Sequence, residues 1–246
     1  MSVLLTAAAD TPVVHRIWNL VDWLILQCEL SVNQSIAANI VGAILCIAAA
    51  YLLGSICPAI LISKRFFGSD LREHGSKNAG MHNAFCAYGR GAAIAIFFAE
   101  FALGYVSVLV GRFIWGFNGS AIASFFVIFG NIFPLFHRLR GGKGMVTMLG
   151  VSLAIHPFIF LPLLLIFLLA VFATKLVAFG AMASSFLFPL LVNAFANLGL
   201  HVAMAVFGTA FLLYAHRQNF KRIQAGKEEK FFFSAFFQND RNGGNE

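Results

Sequence analysis

Three short polar segments carry nearly all the residues able to do chemistry. The first, Lys64 to Arg90, holds Asp70, Arg72 and the cluster Gly75-Ser76-Lys77-Asn78-Ala79-Gly80-Met81-His82-Asn83. Glycines in such a run let the backbone turn through positive φ and approach a ligand closely. Ser and Asn add neutral hydrogen-bonding groups, and Arg72 adds a planar fork that fits phosphate. An ordinary polar turn between helices has the same composition, so this segment alone does not fix a ligand. The second segment, Arg140-Gly141-Gly142-Lys143-Gly144, leads straight into an apolar stretch. Glycine N–H groups and the positive end of a following helix favour an anion, and Lys143 adds a full charge. It is not the GxxxxGK[ST] nucleotide loop, because Gly144 follows the lysine. Phosphate is therefore expected and ATP is not. The third segment starts at His216. His216 and Asn219 stand three apart, on one face of a helix leaving the membrane. Arg217, Lys221 and Arg222 surround them, and Gly226, Glu228 and Lys230 follow. By itself this segment would serve as an electrostatic anchor to anionic lipid. Gathered on one face, the three make a site for a doubly anionic, phosphorylated small molecule beside a bilayer.

The elements that must position these segments are helices in lipid. Of 246 residues, 60% are hydrophobic and only 11% charged. A soluble domain carries about 25% charged residues, and one core of this size cannot hide so much apolar surface. A soluble enzyme, a disordered tail and a coiled coil are excluded. From Leu30 to Ser63 there is no charged residue. That exceeds the roughly 20 apolar residues a span needs, and Pro58 supplies a kink or exit. Further apolar stretches run over about 91–110, interrupted by Glu100, and about 121–136. The next, 145–174, is too long for one simple span. The residue before a proline avoids helix, so His156-Pro157 divides it into 145–155 and 157–174. Lys175 marks a turn before 176–194 and 199–215.

The fold expected is an all-α integral membrane protein, a bundle of about seven transmembrane helices. One crossing reaches the first basic segment, two more the second and four more the third. Of the 17 Lys and Arg, only Arg16 and Arg112 then lie on the opposite side. Cytoplasmic loops collect Lys and Arg, which sets the N-terminus outside and the C-terminus in the cytoplasm. The formal charge of +7 is thus assigned to topology and anion binding, not to nucleic acid. Residues 1–35 read as an extension with an amphipathic interfacial helix, Ile17, Leu20, Val21 and Leu24 alternating with Arg16, Asn19 and Asp22. Residues 36–230 form the polytopic domain and 231–246 a tail. The N-terminus lacks a basic region followed by an apolar core, so it does not read as a cleaved signal. Cys28, Cys46, Cys57 and Cys86 show neither CxxC nor zinc spacing, so no disulfide, metal or cofactor is expected.

The three segments together resemble the bacterial acyl-phosphate:glycerol-3-phosphate acyltransferase family, PlsY. The family's first motif is similar to GSxNxGxxN, and this chain reads GSKNAGMHN. Its next motif is similar to GxxFPxF followed by [KR]GGKG, matched by Gly130 to Phe136 and then Arg140 to Gly144. Its last is similar to HRxNxxRxxxGxE, matched by His216, Arg217, Asn219, Arg222, Gly226 and Glu228. Order, spacing and side of the membrane all fit, over roughly Ile40 to Lys230. The resemblance implies an enzyme of the bacterial plasma membrane with its active site facing the cytoplasm. It would move a fatty acyl group from acyl phosphate to the 1-hydroxyl of glycerol 3-phosphate. The products would be lysophosphatidic acid and phosphate, in phospholipid synthesis, with no cofactor and a functional link to the enzyme that makes acyl phosphate.

The residue roles follow from the same resemblance. Gly141, Gly142, Lys143 and Gly144 would bind glycerol 3-phosphate, with Arg140 and Asn83 beside them. Ser76, Asn78 and Arg72 would hold the acyl-phosphate head. His216 and Asn219 would orient substrate, and Glu228 would tie the tail helix to a basic partner. Three positions depart from the family pattern: His82 stands where Thr is usual, Asn131 where His is usual, and Leu103 where a Lys often follows the acid at Glu100. Glu100 without a local cation is costly in lipid. It would be protonated or paired with a distant Arg. The competing class is a membrane transporter or binding protein for phosphorylated solutes, whose ionisable residues should line a path through the membrane. Here they crowd one face. An acyltransferase using acyl-CoA or acyl carrier protein is disfavoured, because no His has an Asp five positions later.

Overall fold

A computed structural model describes residues 19–231 except Asn197. The described residues form ten α-helices and short turns, with no strand among them. The three polar segments hang on a helical scaffold whose breaks coincide with its special residues. Helix α1 spans Leu20–Gln27 and α2 spans Val32–Ser55. At the start of α2 the Ser31 N–H donates to Gln34 Oε1, a capping arrangement that satisfies one orphan donor. Of the residues assigned to the interfacial helix, Arg16 and Ile17 lie outside the described residues. Within α1, Val21 is buried against Gly42 of α2, while Leu20 and Leu24 are exposed.

Cys57 turns through a left-handed conformation, and Pro58 then opens α3, Pro58–Phe67. Its ring needs no N–H partner at that position. The first polar segment follows and contains α4, Met81–Tyr88. Helix α5, Arg90–Ile132, is broken at Trp115 and Gly116, which leave helical φ/ψ. In an unbroken helix Gly111 and Gly119 would stand roughly 12 Å apart. Here a Cβ on Gly111 would run into the Gly119 carbonyl, so the chain folds back as two limbs. The second polar segment leads to α6, Met145–Ile155. His156 is extended and Pro157 begins α7, Pro157–Thr174, at the division expected from the sequence. Lys175 turns with φ 60°, and α8 (Val177–Phe195), α9 (Gly199–Ala215) and α10 (Arg217–Gln224) complete the described chain.

Four helical stretches among the described residues are long and apolar enough to cross a membrane, and a fifth is if the bent α9–α10 pair counts as one. Helix α6 is shorter than a span and is packed inside the bundle, with Met145 to Ser152 all buried. The helices meet through small residues, as expected where lipid offers no hydrophobic drive. A Cβ on Gly54 of α2 would run into the Val127 carbonyl of α5. One on Gly150 of α6 would run into the Phe101 carbonyl of α5. The main core sits between α5, α6, α7, α8 and α9, around Val127, Met148, Leu163, Phe188 and Leu212. A second cluster, including Ile60, Leu71 and Ile96, packs beneath the first polar segment.

Candidate functional site

The first polar segment is shaped by Asn83 and Arg72. Asn83 is buried at 2% exposure. Its Oδ1 accepts from the Ser76 N–H, and its Nδ2 donates to the carbonyls of Leu71, His74 and Asn78. A polar side chain used so fully holds its loop in one shape. Arg72 forks onto Asp70, with Nε at 2.9 Å from Oδ1 and Nη2 at 2.7 Å from Oδ2. Its Nη1 donates to the carbonyls of His137 and Arg140, each at 2.9 Å. The guanidinium beside Asp70 holds that carboxyl well below the usual carboxylate range. Arg72 therefore clamps the first loop to the second. Four of its five side-chain N–H donors and the Asn83 amide are bonded within the protein, and neither residue lines the two adjoining cavities. Both were expected to touch substrate; here they bond the loops to one another and stand off the lining of either cavity.

The second segment is shaped by close backbone approach. A Cβ on Gly141 would run into the Asn131 carbonyl, and Gly144 turns with φ +79° to start α6. The N–H groups of Gly141 and Gly142 donate to the carbonyls of Ile132 and Asn131. They do not point at a ligand, contrary to the expectation for this loop. The orphan donors are instead those of the first turn of α6, and Gly144, Met145 and Val146 line a cavity. Lys143 projects beside them.

The third segment bends. Helices α9 and α10 meet at 54° with His216 at the joint, so His216 and Asn219 are not on one continuous helix. They still converge, buried at 3% and 4% exposure. His216 Nδ1 lies 2.9 Å from the Leu212 carbonyl. A carbonyl only accepts, so Nδ1 carries the proton and Nε2 is the free acceptor. Lys143 Nζ donates to Asn219 Oδ1 at 2.6 Å, and Asn219 Nδ2 donates to Glu228. Arg222 Nε closes the chain on Glu228 Oε2 at 2.8 Å. Burial pushes the Lys143 ammonium down to about 8, with the Glu228 carboxylate opposing.

These side chains separate three adjoining spaces. An outer cavity of about 210 Å³ is lined by Ser76, Asn78, Gly141, Gly142 and five cations: Lys77, Arg140, Lys143, Arg217 and Arg222. No acid is among its lining residues. An inner cavity of about 90 Å³ shares Asn78, Lys143 and Asn219 with it, and adds His216, Glu228 and Glu100. An apolar groove of about 400 Å³ shares Met81, His82, Phe167 and Val177 with the inner cavity. The groove continues between α4, α5 and α7, past Phe97, Phe98 and Leu168. Glu100 stood out in the sequence as a cost in lipid, with no place in the site. It is buried at 4% and faces the inner cavity instead of lipid, with Oε1 unpartnered among the described residues. Lys77 was also missed; only the folded loop brings it to the outer cavity.

A bundle of helices long and apolar enough to cross a membrane, with a basic cavity and an apolar groove on either side of an inner cavity, defines a multi-pass membrane protein. Its relatives make the class particular. The family model described as glycerol-3-phosphate acyltransferase matches residues 44–226. The chain is 34% identical over 181 residues to the glycerol-3-phosphate acyltransferase of Thermoanaerobacter sp., covering 74% of this chain and 91% of that one. It is 36% identical over 190 residues to the protein of that name in Clostridioides difficile, covering 74% and 91%. The crystal structure of PlsY (YgiH), an integral membrane glycerol 3-phosphate acyltransferase, in its glycerol 3-phosphate form superposes with a TM-score of 0.75 at 29% identity. That match covers 80% of this chain and 99% of the other. The lysophosphatidic acid form gives 0.72 at 26% identity. The chain belongs to the glycerol-3-phosphate acyltransferase family.

Proposed function

We propose that this protein transfers a fatty acyl group from acyl phosphate to the 1-hydroxyl of glycerol 3-phosphate, at the cytoplasmic face of a bacterial plasma membrane. The observation that carries the reading is the succession of the basic outer cavity, the inner cavity and the apolar groove, each sharing lining residues with the next. The acid-free outer cavity suits the dianionic head of glycerol 3-phosphate, with Lys143, Arg140 and Arg217 around it. The groove suits the acyl chain of the donor. The donor's head would lie at the seam, by Ser76 and Asn78. Glycerol 3-phosphate and lysophosphatidic acid are the ligands named for the two PlsY forms.

An acyl phosphate is a mixed anhydride with a good leaving group, so no covalent enzyme intermediate is required. The hydroxyl oxygen attacks the acyl carbon, the bond from that carbon to the phosphate oxygen breaks, and the departing phosphate takes the proton. The products are lysophosphatidic acid and inorganic phosphate. What the protein must supply is proximity and charge stabilisation. Lys143, held by Asn219, fixes one anion beside the other. The free Nε2 of His216 accepts a hydrogen bond from the attacking hydroxyl and orients it. The first turn of α6 offers N–H donors to charge developing on the acyl oxygen. Arg72 and Asn83 act through the loops they hold. Seven crossings, with the N-terminus outside, follow if each limb of α5 and the short α6 traverse the bilayer together with α2, α7, α8 and α9.

The deciding experiment uses protein in detergent, glycerol 3-phosphate and synthetic acyl phosphate. Phosphate release that needs both substrates, with lysophosphatidic acid formed in equal amount, is expected. Turnover with acyl-CoA and none with acyl phosphate would overturn the donor assignment.

A further inference from the structure

The junction between the inner cavity and the apolar groove holds a cluster that the transfer reaction does not use. His82 and Cys86 stand four apart on α4, so both project from one face. Glu229 reaches them from the segment after α10. One ligand atom from each, the His82 ring nitrogen, Cys86 Sγ and a Glu229 oxygen, lie within 4.8 Å of one another. Bonds of about 2.0–2.3 Å around a tetrahedral ion would set these atoms roughly 3.3–3.8 Å apart, so side-chain rotation of about 1 Å closes the gap. Cys86 and Glu229 are exposed and able to make that rotation.

Glu229 is also held from both sides. Glu228 before it is bonded to Asn219 and Arg222. Phe231 after it donates its N–H to the Lys175 carbonyl at 2.7 Å and meets the rings of His82 and Phe85 edge-on. The carboxylate is thus presented to α4 by a strap already laid across the junction. His82 lines both spaces, Glu229 the inner cavity and Phe231 the groove. A donor set of one thiolate, one imidazole and one carboxylate suits zinc or cobalt and disfavours magnesium or calcium.

We propose that His82, Cys86 and Glu229 bind a thiophilic divalent cation, zinc first, and that the bound ion clamps the strap over the cavity–groove junction and slows turnover. Binding stands on the cluster alone, whereas the effect on turnover rests on the proposed acyl transfer. Linear spacing could not suggest this site, because the third donor lies far along the chain from the other two.

Metal-free protein in detergent is titrated with Co²⁺. One equivalent should raise a near-ultraviolet thiolate-to-cobalt absorption, which Zn²⁺ then removes. Cys86→Ser should abolish the band. His82→Ala and Glu229→Gln should weaken binding at least tenfold, and Cys28→Ser should leave it intact. Melting temperature and elution profile check that each variant is folded. A band absent from the wild type, or persisting in Cys86→Ser, would overturn the site. In the acylation assay, saturating Zn²⁺ should slow the wild type several-fold, a chelator should restore it, and Cys86→Ser should not respond. Cobalt binding with unchanged wild-type turnover would overturn the clamp. If no sample turns over acyl phosphate, the transfer reading fails while the absorption still decides the metal site.

Discussion

Lys143 concentrates the chemistry of the site in one titrating charge. Its ammonium is pushed down to about 8 by burial, so it is charged below that pH and neutral above it. Glycerol 3-phosphate stays dianionic throughout, since a phosphate ester's second ionisation lies near pH 6. Anion binding therefore favours the protonated lysine, and the KM for glycerol 3-phosphate should be flat from about pH 7 to about 8 and rise above it. A charge-assisted hydrogen bond is worth about 1.5–3 kcal/mol, so Lys143→Ala should raise KM roughly ten- to a hundredfold and remove the alkaline rise. Initial rates against glycerol 3-phosphate at each pH check this; a wild-type KM that stays unchanged well above about pH 8 would refute the role. The place of Lys143 at the cavities was legible, because a glycine-flanked lysine before an apolar helix stands at a helix N-terminus. Arg72 and Asn83 were not. Residue type announces what a side chain can bind but not which partner it meets, and the carbonyls of His137 and Arg140 that occupy Arg72 lie 65 and 68 positions further along. Glu100 was half legible: the cost of a carboxylate among apolar residues was plain, but its turn into the cavity needed the fold.

Among elements, the decisive contact is α5 against α6, because α6 carries the N-terminal turn that faces the inner cavity. It depends on two close approaches: Gly104 against the Thr147 carbonyl and Gly150 against that of Phe101. A side chain at Gly150 meets backbone that cannot give way, and overpacking of this kind costs typically about 1–3 kcal/mol or more. Gly150→Val should lower the melting temperature in detergent by several degrees and cut kcat/KM more than tenfold, although Gly150 does not line the inner cavity. Gly199→Ala, where a Cβ meets nothing within 4 Å, should change neither. Equal behaviour of the two variants would show that the approach is not needed. Element boundaries set by special residues were readable in advance: Pro157 and the left-handed Lys175 ended helices where expected. The reversal inside α5 was expected, but not its tightness. The sequence suggested two stretches with about ten residues between them, whereas the fold turns within Trp115 and Gly116. Gly111, Arg112, Gly116, Asn118 and Gly119 mark the region as a break, and the contact between the limbs at Gly111 and Gly119 fixes where within it the chain turns.

For the whole molecule, the orientation in the bilayer decides which compartment supplies both substrates, and the native cysteines can report it. Cys28 and Cys86 are exposed, while Cys46 and Cys57 are buried. Between the two exposed thiols lies the apolar stretch of α2 and α3. The 24 residues of α2 alone span about 36 Å, enough for the roughly 30 Å hydrocarbon layer. The thiols should therefore sit on opposite faces, whatever the number of later crossings. On the orientation proposed from the excess of Lys and Arg around the three loops, Cys86 is expected in the cytoplasm and Cys28 outside. In intact cells a membrane-impermeant maleimide should label Cys28 and spare Cys86, and after permeabilisation it should label both. Cys28→Ser and Cys86→Ser identify the two signals, and a chelator in the buffer keeps a bound ion from shielding Cys86. Labelling of Cys86 but not Cys28 in intact cells would invert the molecule and place the basic cavity on the wrong side for phosphorylated metabolites. Labelling of both from outside would mean that α2 does not cross, and the crossing count built on it would fall.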